Sequence, residues 1–385
     1  MLYHLGDWLR SLGIDFPGMG LMHYLSFRAM LAAVISMLIA FLAGGKIIKW
    51  LRKHQIGETI RDLGLEGQMQ KKGTPTMGGL IIIVALVGSA LLVCRLDSIY
   101  TILLIITTLW CGGIGFLDDY IKVFKHNKEG LSEKGKLILQ FALGLIVALT
   151  VCISPDIPTD KLVTTIPFVK AHEFDYSWLS PFNGQLGVYC SWGIYMIMII
   201  LVILACSNGT NLTDGMDGLA SGTSAIVGIT IGVMAWLSGD VIDANYLNIM
   251  YIPGSGEVAI FMAAFVGALI GFLWYNTFPA QVFMGDSGSL TIGGIIGVSA
   301  VLIRKELILP LLCGIFVAES LSVIIQRTHF KRTKRKYGEG RRVFLMAPLH
   351  HHFQKQGIPE PRIVTRFWII GIILAVSTLA VLKIR

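Results

Sequence analysis

The sequence predicts an all-α polytopic integral membrane protein with about ten transmembrane helices. Of its 385 residues, 54% are apolar and only 15% are charged, whereas soluble domains average about 45–50% apolar and about 25% charged. The apolar residues fall in runs of about 20, which is the length a helix needs to cross a bilayer core. These observations exclude soluble, disordered, fibrous and disulfide-scaffold proteins.

The predicted spans follow one another along the chain with mostly short polar connections. Hydropathy fixes the middle of a span better than its ends, so each boundary is good to a few residues. The spans are 24–47, 77–95, 99–117, 137–153, 190–206, 219–237, 257–275, 288–303, 306–327 and 367–384. Pro310 is expected to kink the ninth span.

The distribution of charge gives the orientation. Most of the 32 Lys and Arg residues lie in the stretches 46–72, 122–136 and 327–366, which the alternating spans place on one side. The positive-inside rule assigns that side to the cytoplasm. Both termini are then periplasmic, and residues 328–366 form a long basic cytoplasmic loop. Topology alone explains most of these charges.

Residues 155–189 fall on the outer side and form the longest predicted periplasmic loop. Four prolines and short β-branched runs predict a small hairpin or irregular cap without evident chemistry. The six cysteines contain no C-x-x-C pair, and most lie in apolar runs, where a thiol packs as a small apolar group. A disulfide between Cys152 and Cys190, which flank this loop, is left open.

The first polar motif that needs an explanation is G-F-L-D-D-Y, which contains Asp118 and Asp119 at the end of the third span. Adjacent carboxylates repel one another unless a cation neutralises them, and the C-terminal end of a helix disfavours anions. The pair therefore indicates a role in binding a divalent cation or in phosphate chemistry. A pair of solvated loop acids is the alternative.

The second motif, N-G-T-N-L-T-D-G-M-D-G, lies between the fifth and sixth spans. Asn211, Asp214 and Asp217 recur every three residues, a spacing that puts neighbouring pairs near one face if the segment is helical. Such oxygen ligands suit Mg²⁺ or the polar edge of a sugar or base. The alternative is a simple turn rich in Gly, Asn and Asp.

The third motif, N-T-F-P-A-Q-V-F-M-G-D-S-G-S, runs from Asn276 to Ser289. Asp286 directly precedes an apolar span, where it is a candidate metal ligand and the backbone N–H groups of the helix start are candidate anion donors. A plain helix N-cap explains Asp286 equally well.

Basic and histidine motifs accompany these acids. K-K-G-T-P-T-M-G-G begins at Lys71; it is not a Walker A loop, but it is a candidate phosphate-binding segment. P-L-H-H-H-F contains His350, His351 and His352, which point in different directions in any regular element. We therefore expect hydrogen bonds to phosphate or nucleotide rather than one shared metal. Glu319, inside the ninth span, is either functional or hydrogen-bonded packing and receives no role.

Together these groups indicate phosphoryl transfer at the lipid–water boundary. Carboxylates that hold Mg²⁺, beside cations that hold phosphate, are what this chemistry requires. A site at the membrane surface also lets a soluble nucleotide meet a lipid-borne acceptor. The alternative from another class, a cation-coupled transporter, predicts acids near the middle of the membrane, whereas the aspartates here lie at span ends.

The five motifs appear in the order seen in the phospho-N-acetylmuramoyl-pentapeptide-transferases (the MraY translocases) of the polyprenyl-phosphate N-acetylhexosamine-1-phosphate transferase superfamily, which the chain resembles over about 45–384. The resemblance implies one transmembrane catalytic domain, 1–385, in the bacterial inner membrane. It implies Mg²⁺-dependent transfer of phospho-MurNAc-pentapeptide from UDP-MurNAc-pentapeptide to undecaprenyl phosphate, giving lipid I and UMP, the first membrane step of peptidoglycan synthesis.

The same resemblance implies roles for individual residues. Asp118 and Asp119 match the family's aspartate pair, and Asp286 matches its metal-binding acid; all three are expected to be catalytic. The implied substrate-binding residues are Lys71, Thr76, Asn211, Asp214, Asp217, Asn276, Phe283, His350, His351 and His352, with Asp217 and Phe283 in the uridine pocket. No nucleic-acid partner is expected, and the oligomeric state, a homodimer included, is left open. The nearest alternative is a polyprenyl-phosphate GlcNAc-1-phosphate transferase.

Overall fold

A computed structural model describes residues 1–13, 18–54, 73–125, 130–157, 162–166 and 173–382. Within these ranges the regular secondary structure is helical apart from two short strands. The α-helices are α1 Leu2–Ser11, α2 Leu25–His54, α3 Gly79–Val93, α4 Ile99–Phe124, α5 Glu133–Ile153, α6 Gly184–Thr213, α7 Leu219–Gly239, α8 Val241–Leu247, α9 Gly256–Asn276, α10 Asp286–Leu302, α11 Leu309–Leu312, α12 Gly314–Tyr337, α13 Leu349–Lys355 and α14 Glu360–Val381.

Every predicted span overlaps one of these helices. In the described part of the chain, seven helices are long and apolar enough to cross a membrane, namely α2, α4, α5, α6, α7, α9 and α14, and α3 and α10 are shorter apolar helices. The ninth predicted span, 306–327, overlaps both α11 and α12. The chain is thus a mostly helical polytopic membrane protein, while the count of ten spans and the side of the termini stay predictions.

The ninth predicted span differs from expectation at both ends. Pro310 does not kink a continuous helix; it occupies the first turn of the short helix α11, where its missing N–H costs nothing, and α12 begins separately at Gly314. Helix α12 then continues to Tyr337, well past residue 327. The stretch 328–366 is therefore not one loop, since it contains the end of α12, all of α13 and the start of α14.

The connection between α5 and α6 contains the hairpin that its sequence predicts. Strand β1, Val163–Thr165, pairs antiparallel with β2, Glu173–Asp175. The buried Lys305, in the connection between α10 and α11, holds the hairpin because its Nζ donates to Thr165 Oγ1 at 2.7 Å. Helix α6 begins at Gly184, so the connection is shorter than 155–189. Cys152 and Cys190 are free thiols, which removes the disulfide left open above.

Helix α10 is the centre of the fold, because nearly every residue along it is buried. Glycines let the neighbouring helices approach its backbone. A Cβ on Gly79 of α3 would overlap the backbone of Gly288, and a Cβ on Gly115 of α4 would overlap the carbonyl oxygen of Asp286. Close backbone packing through small residues is typical of membrane helices, and here it fixes the position of the first turn of α10.

Candidate active site

Three aspartates from two helices converge at one end of this packing. Asp118 and Asp119, which the sequence places at the end of the third span, lie in the last two turns of α4, because this helix continues to Phe124. Asp286 is the first residue of α10. One carboxylate oxygen from each lies within 4.8 Å of the other two. Asp118 is 0% and Asp119 is 3% exposed, so the alternative of solvated loop acids is wrong.

Two lysines neutralise most of this charge. Lys122 Nζ lies 2.5 Å from Asp118 and 3.3 Å from Asp286, and Lys136 Nζ lies 3.0 Å from Asp118 and 2.6 Å from Asp286. Each ammonium group therefore bridges two carboxylates. Both lysines belong to the basic stretch 122–136, whose charges the sequence explains by topology alone. The spacing of four residues between Asp118 and Lys122 on one helix was a usable signal; nothing in the sequence links Lys136 to the acids.

Asp119 has a distinct task, because its carboxylate caps α10. Its Oδ1 accepts from the backbone N–H of Asp286 at 3.1 Å, and its Oδ2 accepts from that of Ser287 at 3.0 Å. The residue at the N-cap position is Gly285, which has a positive φ of 73° and no side chain, so an acid from α4 supplies the cap. The alternative in which Asp286 is the cap is therefore wrong.

Thr76 also lies beside this cap. A Cβ added to Gly285 would come within 2.9 Å of Thr76 Oγ1 and 2.6 Å of Asp119 Oδ2. The segment of Thr76 is held by backbone pairing with the segment before α10, in which Phe283 donates to Pro75 and accepts from Gly78, both at 2.8 Å. The segments of Thr76 and Phe283 are thus hydrogen-bonded to each other and lie next to the aspartates. Lys71 lies outside the described residues.

The central motif is a helix end followed by a turn, so it combines the two alternatives considered above. Helix α6 continues to Thr213, which makes Asn211 helical and puts Asp214 just after the helix. Asn211 Nδ2 donates to Asp286 Oδ1 at 3.0 Å and to Ser289 Oγ at 2.9 Å. Asn211 therefore belongs to the aspartate cluster and orients Asp286.

Asp217 and Asn276 connect the turn after α6 with the segment before α10. Asp217 Oδ2 accepts from Ala280 N at 3.0 Å, and Asn276 Oδ1 accepts from Gly218 N at 3.0 Å. Asn276 Nδ2 donates to Val282 O at 3.1 Å. Asp217 and Asn276 are each only 4% exposed. Their described contacts hold loops together, whereas the sequence resemblance implied substrate binding.

The three consecutive histidines have three different environments, as their spacing predicts. His350 is 1% exposed, and its backbone N and its Nδ1 lie 3.2 Å and 3.3 Å from Glu319 Oε1. A Cβ on Gly215 would overlap the His350 ring at Nε2, so the ring lies against the central motif. His351 and His352 are half-buried. Glu319, which received no role from the sequence, is the buried partner of His350.

These contacts bring all the predicted motifs with described residues to one end of the helices. Among the described residues, the aspartates are the one group of His, Cys, Asp and Glu side chains with the spacing of a metal site. Carboxylate oxygens are the ligands that Mg²⁺ prefers. Three carboxylates and two ammonium groups leave one negative charge, so the residues present fit a divalent cation, and Asp118 and Asp286 would hold it.

The chain is a multi-pass membrane protein, and its match to a family model assigns it to the glycosyl transferases. The model of glycosyl transferase family 4 matches residues 101–304, which is more than half of the chain. A phospho-N-acetylmuramoyl-pentapeptide-transferase signature matches residues 71–83.

Curated relatives identify the family within this class. Proteins named phospho-N-acetylmuramoyl-pentapeptide-transferase from Flavobacterium psychrophilum and Parabacteroides distasonis are 54% and 51% identical to the chain, and each alignment covers all of both chains. A third, from Flavobacterium johnsoniae, is 51% identical over the same extent. The chain belongs to the phospho-N-acetylmuramoyl-pentapeptide-transferase family and is a phosphoglycosyl transferase.

Proposed function

We propose that the chain transfers phospho-MurNAc-pentapeptide from UDP-MurNAc-pentapeptide to undecaprenyl phosphate, giving lipid I and UMP in a Mg²⁺-dependent reaction. The observation that carries the proposal is the cluster of Asp118, Asp119 and Asp286 with Lys122 and Lys136, because it offers ligands for a cation and donors for phosphate in one place. The names of the relatives supply the sugar and its peptide.

The reaction is an attack by a phosphate oxygen of the acceptor on the β-phosphorus of the donor. The new bond joins that oxygen to the β-phosphorus, the bond from this phosphorus to the bridging oxygen breaks, and the bridging oxygen leaves on UMP with the electron pair. A phosphate monoester has a second pKa near 6. The acceptor is therefore largely dianionic at neutral pH, and the enzyme needs no strong base.

The residues of the cluster divide the work of binding and orientation. When bound at Asp118 and Asp286, Mg²⁺ supplies positive charge to the pyrophosphate oxygens. Lys122 and Lys136 add donors on the same side, and Asn211 fixes the Asp286 carboxylate. Asp119 fixes the start of α10 and so the position of Asp286.

The competing mechanism is a covalent phosphoryl-enzyme intermediate on an aspartate. The contacts favour direct attack: Asp119 uses both oxygens to cap α10, and Asp118 accepts from Leu131 N at 2.7 Å while it pairs with both lysines. Incubation with donor labelled in its β-phosphate, without acceptor, tests this point. Direct attack predicts no labelled protein, and label retained on an aspartate would establish the intermediate.

We further propose that this end of the helices faces the cytoplasm of a bacterial inner membrane. The basic stretches that predict the cytoplasmic side are the ones that flank the site, namely 122–136 and 327–366. A cytoplasmic opening admits a soluble nucleotide, while the lipid acceptor approaches within the bilayer.

The test of the proposed function is UMP release by the purified protein in detergent. UMP should appear only when UDP-MurNAc-pentapeptide, undecaprenyl phosphate and Mg²⁺ are all present, and Asp286→Asn should abolish the signal while the helical circular dichroism is unchanged. UDP-GlcNAc is the control donor. UMP release from UDP-GlcNAc but not from UDP-MurNAc-pentapeptide would favour the GlcNAc-1-phosphate transferase. A folded protein that uses neither donor would contradict the proposal.

A further inference from the structure

A basic cavity of about 650 Å³ lies beside the histidine helix α13. It is formed by α12, by the connection 338–348 and by the end of α13. Arg327 and Lys331 line it from α12, Arg342 lines it from the connection, and Lys355 lines it from α13. Phe330 and the connection's apolar side chains complete the wall. None of these side chains belongs to the aspartate cluster, so the cavity is separate from that site.

The cavity is basic on every side. In the described part of the chain, no acidic residue lines it. Like charges that face one cavity repel each other, and an anion bound between them lowers that repulsion. The positive-inside rule explains why this end of the helices is basic, but it does not explain why cations from three segments face a common space.

Hydrogen bonds from backbone N–H groups to side chains give the cavity a defined wall. Gln326 Oε1 on α12 accepts from the backbone N–H groups of Val343 and Phe344, both at 3.0 Å. The next residue, Leu345, donates from its backbone N to His352 Nδ1 at 3.1 Å. The connection is thereby fastened both to α12 and to the histidine helix, and the cavity is coupled to the histidines.

The position of the cavity relates it to the aspartates through α13. The helix begins near His350, whose ring lies against Gly215 in the central motif, and it ends at Lys355 in the cavity wall. Seven helical residues span about 10 Å. Five extended peptide residues reach about 17 Å. A peptide of five residues is therefore long enough to extend along the whole of α13, from His350 beside the central motif to Lys355 in the cavity wall.

We propose that this cavity binds the carboxylate groups of the donor's peptide. The inference rests on the proposed function, which gives the donor a pentapeptide. A peptide ends in a carboxylate, and each acidic side chain adds another. Arginine binds carboxylates through two parallel hydrogen bonds, which suits Arg327 and Arg342 to this ligand. The cavity is then a recognition site for the part of the donor that does not react.

The test compares two donors in the UMP-release assay. In the double variant Lys331→Gln/Arg342→Gln, KM for UDP-MurNAc-pentapeptide should rise at least tenfold, with kcat within about twofold of the wild type. The lost contacts bind the unreacting peptide equally in the ground state and in the transition state, so they affect KM and not kcat. KM for UDP-MurNAc without a peptide should not change. The matched control is Lys334→Gln/Arg335→Gln, which removes two exposed cations of the same helix outside the cavity; its KM values should equal those of the wild type.

Several outcomes would overturn the inference. An unchanged KM for the pentapeptide donor, or an equal rise for both donors, would show that the cavity does not recognise the peptide. Anionic lipid headgroups are the other source of an anion for this cavity, so the assay is repeated in nanodiscs with and without phosphatidylglycerol. A defect that appears only with phosphatidylglycerol would assign the cavity to lipid. A wild-type protein that releases no UMP would contradict the proposed function itself.

Discussion

Asp119 and Asp286 are both acids of the cluster, yet the contacts of their carboxylates differ in kind. The Asp119 carboxylate accepts two backbone hydrogen bonds and holds the start of α10, whereas the Asp286 carboxylate contacts side chains, among them those of Lys122, Lys136 and Asn211. Removal of the first should damage the fold locally, and removal of the second should damage the chemistry.

Asp119→Asn is therefore expected to lower stability more than Asp286→Asn. The amide group introduced at position 119 would present a donor to a buried backbone N–H, which costs about 1–3 kcal/mol. In Asp286→Asn both lysines still pair with Asp118. Thermal unfolding in detergent checks this, with UMP release lost in both variants. Equal unfolding temperatures for the two variants would contradict the assigned roles.

Gly215→Ala should inactivate the enzyme by displacing His350. A Cβ at this position overlaps the imidazole ring of His350. The ring is buried and pairs with Glu319, so it has little room to move aside. We expect kcat to fall at least tenfold. The matched control is Gly193→Ala in α6, where an added Cβ meets nothing within 4 Å. Full activity in Gly215→Ala would show that the position of His350 is unimportant.

At the scale of elements, hydropathy located the helices but not their ends. Helices α4, α6 and α12 all continue past the apolar run, as far as Phe124, Thr213 and Tyr337. The extra turns lie beyond the apolar segments of these helices. In α4 and α6 they carry Asp118, Asp119 and Asn211. Their helical state depends on contacts with other elements, which a local apolar pattern does not contain.

The close contact between α4 and α10 gives a test at this scale. Gly115→Ala should push the first turn of α10 away and reduce UMP release at least tenfold, because its Cβ would overlap the carbonyl oxygen of Asp286. Gly113→Ala, two residues earlier on the same helix, adds a Cβ with nothing within 4 Å and should keep activity. Similar activities for the two variants would refute the role of this contact.

At the scale of the whole molecule, a buried lysine fastens the end of the helices that lies away from the aspartates. Lys305 lies between α10 and α11, outside the spanning helices, and burial lowers its pKa to about 8 from 10.5. Between about pH 8 and pH 10.5 the unfolded chain binds more protons at this group than the folded chain, so stability rises with pH there. Below this window the folded state carries the full cost of the buried charge.

The wild type should therefore gain stability relative to Lys305→Met as the pH rises from 8 to 10. The comparison cancels other groups that titrate in this range. Unfolding temperatures of the two proteins in detergent at several pH values measure the effect. A difference that does not vary with pH would show that Lys305 keeps its ordinary pKa in the folded state.

The sequence predicted the membrane class and most of the residues at the site, because polar motifs are conspicuous between apolar runs. It did not predict which of them touch the aspartates. Lys136, Glu319 and the capping role of Asp119 depend on helices that are distant in the chain. The packing around α10 brings Asp119 and Lys136 to Asp286, and the packing of α12 against α13 brings Glu319 to His350.

The central claim is that Asp118 and Asp286, from separate helices, hold one divalent cation. Titration with Mn²⁺ followed by electron paramagnetic resonance tests it most directly, because Mn²⁺ accepts the same oxygen ligands. We predict one Mn²⁺ per chain in the wild type and binding at least tenfold weaker in Asp118→Asn and in Asp286→Asn, with Asp240→Asn as the exposed control. Unchanged Mn²⁺ affinity in both folded variants would contradict the account.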